Sequence, residues 1–391
     1  MRRYKLPYSS GETMQVYTKL IPFAIALAFA GTAGAQQVVK IGHVAPISGP
    51  SAHLGKDNEN AARMAIDELN TKGFALNGQK ATLQLVSEDD GADPKQGTAV
   101  AQKLVDAKVN GVIGHLNSGT TVPASKIYND AGIVQISPAT TAPVYTRQHF
   151  PGAFRVVASD AKLGSTLSQY AIDTLHAKNI AIIDDRTTYG QGVADEFVKG
   201  LKKPGIKVVG REFTSATAND YTAILTAIKA KKPDLIFFGG MDSVAGPMLK
   251  QVKALGINAV FMGGDGMCTD ALGRLAGDAL GEGRVYCAEA GGVKGPQEKV
   301  MEDFRARYKK KFNMDVQLYA PYVYDSVMVM AKAMQDAKSA DPAKYLPVLK
   351  AIKYEGVTGT IQFDPNGDIK DGALTLFTYK GGKRTKLDVI R

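Results

Sequence analysis

Two stretches of the sequence place hydroxyl side chains where an anion is easily held. Gly114-His115-Leu116-Asn117-Ser118-Gly119-Thr120-Thr121 follows one short apolar run and opens a helical period, and Ser137-Pro138-Ala139-Thr140-Thr141 follows the next run. A hydroxyl beside free backbone N–H groups at a helix start holds a carboxylate without any basic side chain. Ser118 or Thr141 taken singly is explained as well by an ordinary helix N-cap; two such turns on neighbouring strands favour the anion. Three further turns follow apolar runs later in the chain: Asp184-Asp185-Arg186-Thr187-Thr188-Tyr189-Gly190, Gly239-Gly240-Met241-Asp242 and Gly263-Gly264-Asp265-Gly266. Asp265 lies between glycines that let a ligand approach, so its carboxylate suits an ammonium group, with a plain turn aspartate as the alternative.

Catalytic patterns are missing. The sequence has no Gly-x-Ser-x-Gly, no His-Glu-x-x-His, no phosphate loop ending in Gly-Lys-Ser/Thr and no Gly-x-Gly-x-x-Gly after its first apolar run. His43 and His115 lie beside apolar runs without partners at ligand spacing, which fits rim or core imidazoles better than bases. No metal, redox centre or cofactor is expected. Nucleic acid is an unsuitable partner, because the basic residues are scattered and Trp is absent. Cys268 and Cys287 are expected to form a disulfide, closing a loop of roughly 20 residues and contributing about 3 kcal/mol by chain entropy.

Positioning such turns requires an alternating fold. Short apolar runs (Val39 to Val44, Leu83 to Val86, Val112 to Ile113, Ile133 to Ile136, Ile180 to Ile183, Leu235 to Phe238 and Val260 to Met262) are separated by helical periods such as Ala62, Ile66 and Leu69. That is the pattern of a parallel sheet wrapped by helices. It restarts near residue 155, so an α/β chain of two doubly wound parallel-sheet lobes is expected. After Cys287, helices are expected at about 297–311, 319–336 and 342–353, followed by strands at Thr360 to Phe363 and Leu374 to Tyr379 around the turn Asp364-Pro365-Asn366-Gly367.

The 391 residues are enough for two cores. Lys+Arg 48 against Asp+Glu 38 gives a net charge of +10. Arg2, Arg3, Lys5 and Lys19 against Glu12 supply part of it within residues 1–35, which read as a signal peptide: Lys19, an apolar run from Leu20 to Ala30, then Ala33-Gly34-Ala35. Export to the periplasm is the expectation. No later run approaches the length of a membrane helix.

The chain resembles the periplasmic leucine/isoleucine/valine-binding proteins, type I solute-binding components of ABC importers. Ser48-Gly49-Pro50, Asp93-Pro94-Lys95-Gln96, Val112-Ile113-Gly114-His115-Leu116, Pro123-Ala124-Ser125, Ile136-Ser137-Pro138, Tyr189-Gly190-x-Gly192 and Phe261-Met262-Gly263 carry the resemblance. It implies two lobes, 36–157 plus 290–366 and 158–289 plus 367–391, joined by a three-segment hinge near 158, 289 and 367. It implies an amino acid in the cleft and permease subunits of the transporter as partners of a monomer. Carried over by position, Ser118, the backbone of Ala139 and Thr141 would hold the α-carboxylate and share in binding the ammonium, Thr140 would also touch the ligand, Asp265 would pair with the ammonium, and Tyr189 would cover the ligand. Leu54, Leu116, Asn117, Met241 and Tyr324 would line the pocket, with Leu54 and Met241 standing where some members have tryptophan and tyrosine. Asn117 and Ala92 replace cysteines that some members bridge. Another amino acid, an amide or an aromatic acid remains open as ligand, as does a secreted enzyme of similar fold.

Overall fold

The protein is described by a computed structural model that covers residues 1–5, 11 and 37–390. The expected leader, residues 1–35, lies almost wholly outside the described residues. Two large sheets and a small hairpin carry the rest. The first contains β1 (Gln37–Ala45), β2 (Ala75–Leu76), β3 (Gln79–Asp89), β4 (Gly111–Gly114), β5 (Gln135–Ser137) and β6 (Ala153–Arg155), in the spatial order β2-β3-β1-β4-β5-β6. All its pairings are parallel except β2 with β3. The connecting helices are α1 (Ala52–Thr71), α2 (Pro94–Asp106), α3 (Ser118–Asp130) and α4 (Val144–Arg147). Because strand order reverses at β1, the connections leaving β1 and β4 diverge and open a crevice beyond their carboxyl ends.

The second sheet repeats the plan. Its parallel part comprises β7 (Asn179–Asp184), β8 (Lys207–Phe213), β9 (Leu235–Gly239), β10 (Val260–Gly263) and β11 (Val285–Glu289). These alternate with α5 (Asp160–Asp173), α6 (Thr188–Gly200), α7 (Thr222–Ala230), α8 (Asp242–Ala254) and α9 (Asp270–Ala276). Ile180 to Ile183 and Leu235 to Phe238 are apolar at every position because helices cover both faces of the sheet, and all of them are fully buried. Strand β8 has no comparable run: it lies at the sheet edge with most residues partly or fully exposed, which is why the apolar pattern misses it.

The chain then returns to the first sheet with α10 (Pro296–Phe312), α11 (Ala320–Asp336) and α12 (Pro342–Lys350), α11 packing on α1 and β4. A small hairpin, β12 (Tyr354–Gly356) with β13 (Gly359–Ile361), follows, so the expected strand over Thr360 to Phe363 ends early and pairs locally. Finally β14 (Leu374–Lys380) and β15 (Lys383–Ile390) add antiparallel strands beside β11. The turn between these pieces is held by Asp364, whose Oδ1 accepts from the N–H groups of Asn366 (2.8 Å) and Asp368 (2.9 Å). The chain therefore passes between the two sheets three times, after β6, after β11 and before β14.

Candidate functional site

The carboxyl ends of the two sheets face one another, and the turns singled out in the sequence meet there. On the first-sheet side α3 begins at Ser118. Its N-cap Asn117 makes no side-chain cap bond, so the helix opens with backbone donors that no side chain satisfies. Ser118 is not a cap either: its Oγ accepts from Ala142 N–H at 3.4 Å, linking the turns after β4 and β5. Thr141 Oγ1 is buried without any partner. Thr140 is different. Its hydroxyl meets Thr121 Oγ1 at 2.5 Å and reaches Leu116 O at 3.3 Å, and its N–H donates to Ser137 Oγ at 3.0 Å. Both of its donors are engaged inside the lobe, so Thr140 braces the rim.

Behind this rim lies Arg155, fully buried at the end of β6. Its Nη1 donates to the carbonyls of Thr140 (3.2 Å) and Ala142 (3.0 Å), its Nη2 to Thr146 Oγ1 (2.6 Å), and its Nε to Asp368 Oδ1 at 2.5 Å. The guanidinium thus fixes the residues on both sides of Thr141. The turn after β4 is anchored in the same manner: His115 Nδ1 meets Asp90 Oδ2 at 2.8 Å and His115 Nε2 meets Tyr128 Oη at 3.0 Å, all buried.

On the second-sheet side Asp265 starts a short 3-10 turn after β10. Tyr189 Oη donates to its Oδ1 at 2.8 Å and Tyr319 Oη to its Oδ2 at 2.7 Å, while Gly266 N–H donates to Tyr189 Oη at 2.8 Å. Burial pushes the Asp265 carboxyl up to about 6, the two phenols holding it back from going higher. Burial and the charge of Asp265 push both phenols well above their ordinary value, so they remain donors.

Asp160, at the start of α5, is the least satisfied group of the site. It is fully buried and neither carboxylate oxygen has a hydrogen-bond partner. Burial, then the nearby charge of Asp265, raises it well above the ordinary carboxylate range. Thr141 is near enough to favour its charged form slightly, and Asp160 N–H donates to Thr141 O at 2.8 Å.

The remaining expectations divide. Tyr189, Asn117 and Met241 line a cavity of about 340 Å³ between the lobes, together with Pro50, Ala92 and Thr217. Leu54 and Leu116 are buried in the apolar core and do not line it. Tyr324 is a correction: its hydroxyl donates to Glu68 Oε2 at 2.8 Å and its ring packs edge-on against Phe304. The residue that reaches Asp265 is Tyr319, just before α11. An offset of five residues turns a helical position by about 140°, enough to move a side chain from one face to another. Cys268 and Cys287 form a disulfide, as expected.

A profile of the periplasmic binding protein family matches residues 38–383. The chain belongs to that family. The Leu/Ile/Val-binding protein homolog 1 of Brucella abortus is 34% identical over 375 residues, 95% of this chain and 98% of the relative. The Leucine-, isoleucine-, valine-, threonine-, and alanine-binding protein of Pseudomonas aeruginosa is 34% identical, across 93% of this chain and 96% of its own. Among solved structures, the branched-chain amino acid transporter substrate binding protein LivJ of Streptococcus pneumoniae, in complex with isoleucine, superposes with a TM-score of 0.81 at 27% identity, covering 90% of this chain and 99% of its own.

In this periplasmic binding protein the residues missed from sequence were hidden by ordinary explanations. An aspartate in a first helical turn reads as a dipole partner, and only burial singles out Asp160. A second missed contact joins the lobes directly. His53 Nε2 on α1 lies 2.9 Å from Asp242 Oδ2 at the start of α8, and the same oxygen accepts from Thr269 Oγ1 at 2.5 Å. Burial pulls the His53 imidazole down, but the hydrogen bond and charge of Asp242 outweigh it and leave His53 raised. Among the described residues no group of His, Cys, Asp and Glu side chains could hold a metal ion, and no helix is long and apolar enough to cross a membrane.

Proposed function

We propose that this protein is the exported solute receptor of an ABC importer, and that it captures leucine, isoleucine or valine between its lobes and hands it unchanged to the membrane permease. The observation that carries the reading is the meeting of buried groups of complementary sign in one place, with Thr141 Oγ1 and both carboxylate oxygens of Asp160 left without a partner. The open start of α3, with Ser118 and Thr141, supplies donors for an α-carboxylate. Asp265 and the unpartnered Asp160 supply acceptors for an ammonium. A zwitterion satisfies both sets, whereas leaving buried charges unpaired costs several kcal/mol. The apolar part of the cavity, with Pro50, Ala92, Tyr189 and Met241, suits a branched aliphatic side chain.

The rest of the reading follows. Residues 1–35 direct export and are removed; 36–157 plus 290–366 and 158–289 plus 367–391 are the two lobes; the three passages between the sheets bend. The His53–Asp242 contact spans the gap and favours the closed form. The protein acts as a monomer and catalyses nothing, in keeping with relatives named for what they bind. Closure gives the permease a ligand-dependent shape to recognise.

Calorimetry with the common amino acids and with amine-free carboxylates tests the reading. Leucine, isoleucine and valine are expected to bind with micromolar affinity, about 8 kcal/mol. Silence from all three, or tighter binding of carboxylates that lack an amine, rejects it.

A further inference from the structure

The turn that carries Asp265 is closed on a single residue. It leaves the second sheet at Gly263, which pairs in parallel register with Cys287 of β11. It ends at Cys268, whose sulfur is bonded to that same Cys287. Inside the loop Cys268 N–H donates to Asp265 O at 2.9 Å. Outside it, Arg384 Nη1 donates to Cys268 O at 2.6 Å and Tyr379 Oη to Thr269 O at 2.7 Å. Both cysteines and Asp265 are buried. With the bridge in place, the backbone bearing Asp265 is tethered at both ends to one strand position.

We propose that the Cys268–Cys287 bridge is a positioning device for ligand capture, holding the Asp265 carboxylate where the ammonium of the amino acid must meet it. The inference rests on the reading of Asp265 as the ammonium partner. An acid that must meet a cation inside a closed site gains from being fixed beforehand, because each freedom left in the turn would have to be lost on binding. The strand pairing at Gly263 alone fixes one end. Without the sulfur bond, the exit at Cys268 relies on the Arg384 and Tyr379 contacts to backbone carbonyls and on the Thr269 Oγ1 bond to Asp242 Oδ2.

A double-mutant cycle separates this role from general stabilisation of the lobe. Leucine dissociation constants are measured by calorimetry for the unaltered protein, for Cys268→Ala with Cys287→Ala, for Asp265→Asn, and for all three substitutions together. Cys268→Val with Cys287→Ala refills the vacated volume and replaces the alanine pair if that pair fails to fold. Loss of the bridge is expected to weaken leucine about tenfold when Asp265 is present and less than about twofold when it is Asn, an interaction of about 1 kcal/mol between contacting sites. An unchanged constant on losing the bridge, or an equal loss in both backgrounds, overturns the proposal even though leucine binds. No leucine binding by the unaltered protein overturns the ligand reading and this inference with it.

Discussion

On the first-sheet side of the cleft, the turns that carry Ser118 and Thr141 are held by hydrogen bonds alone: Arg155 to the carbonyls around Thr141, and His115 between Asp90 and Tyr128. On the second-sheet side, the turn that carries Asp265 is held by a sulfur bond and by Tyr189, while Tyr319, which belongs with the first sheet, reaches across to it. The first rim is rich in neutral donors with a buried cation behind them. The second is acidic, with Asp160 and Asp265 both raised by burial. On the proposed function, the contrast follows from what each rim would have to do. Donors for a carboxylate are supplied by backbone and hydroxyl groups that cost little to bury once paired, so a polar network suffices to aim them. Two neighbouring carboxylates resist burial and repel, so they need a scaffold that does not yield.

If that division is right, the largest effect comes from the buried cation. Arg155→Met removes the partner of Asp368 and frees the carbonyls of Thr140 and Ala142. Asp368 is partly exposed, so the cost comes chiefly from the buried acceptors left without their donor, about 1–3 kcal/mol for each. Thermal and denaturant unfolding of the ligand-free protein should register that loss. A stability within about 1 kcal/mol of the parent would mean that the first rim is held by something else.

Next in size are the rims themselves, which an amine-free analogue tells apart. Ser118→Ala with Thr141→Ala strips hydroxyls from the carboxylate site and is expected to weaken leucine by well over about tenfold, since each buried donor lost costs about 1–3 kcal/mol. It should weaken 4-methylpentanoate, which lacks only the amine, in proportion. Asp265→Asn is also expected to weaken leucine by more than about tenfold, through the lost ammonium contact, yet to spare the analogue. Asn keeps an acceptor for one phenol only and turns its NH2 toward the other, so the empty protein should also lose the worth of one buried hydrogen bond, about 1 kcal/mol, in its unfolding free energy. Equal losses for both ligands in both variants would erase the distinction between the rims.

Much of this arrangement was legible in the sequence, for a physical reason. Parallel strands buried on both faces, such as Ile180 to Ile183, announce themselves as apolar runs, and the residues just after them are the ones that an open α/β sheet turns toward its ligand crevice. Ser118, Thr141 and Asp265, the residues proposed to meet the ligand, are singled out that way. Edge strand β8 could not be, because exposure erases its apolar run. Tyr319 and His53 escaped for a different reason. Their partners are distant in sequence, Tyr319 being 54 residues from Asp265 and His53 189 from Asp242, so no local spacing reveals them. Thr140 shows the converse: its type and place fit a ligand contact, and only the hydrogen bonds to Thr121 and Ser137 show its groups already committed.

The smallest expected effect concerns pH, and here the second rim and the lobe-to-lobe contact pull in opposite directions. In the empty protein Asp265 holds its proton up to about 6, whereas an ammonium partner favours the carboxylate. Binding leucine therefore releases a proton in acid, and affinity should fall as pH drops below about 6, approaching about tenfold per unit. His53 is raised by Asp242, with the Arg274 cation opposing, so the protonated pair favours closure. That contribution is fully present below the ordinary imidazole value near 6.5 and fades as pH rises through the raised one. Affinity should consequently peak near neutrality and decline modestly on the alkaline side. His53→Gln removes the charge but keeps a donor, so it should flatten the alkaline limb and leave the acid limb untouched. A variant that still shows the alkaline decline would show that His53 takes no part in closing the lobes, while a missing acid limb in the parent would remove Asp265 from the ammonium site.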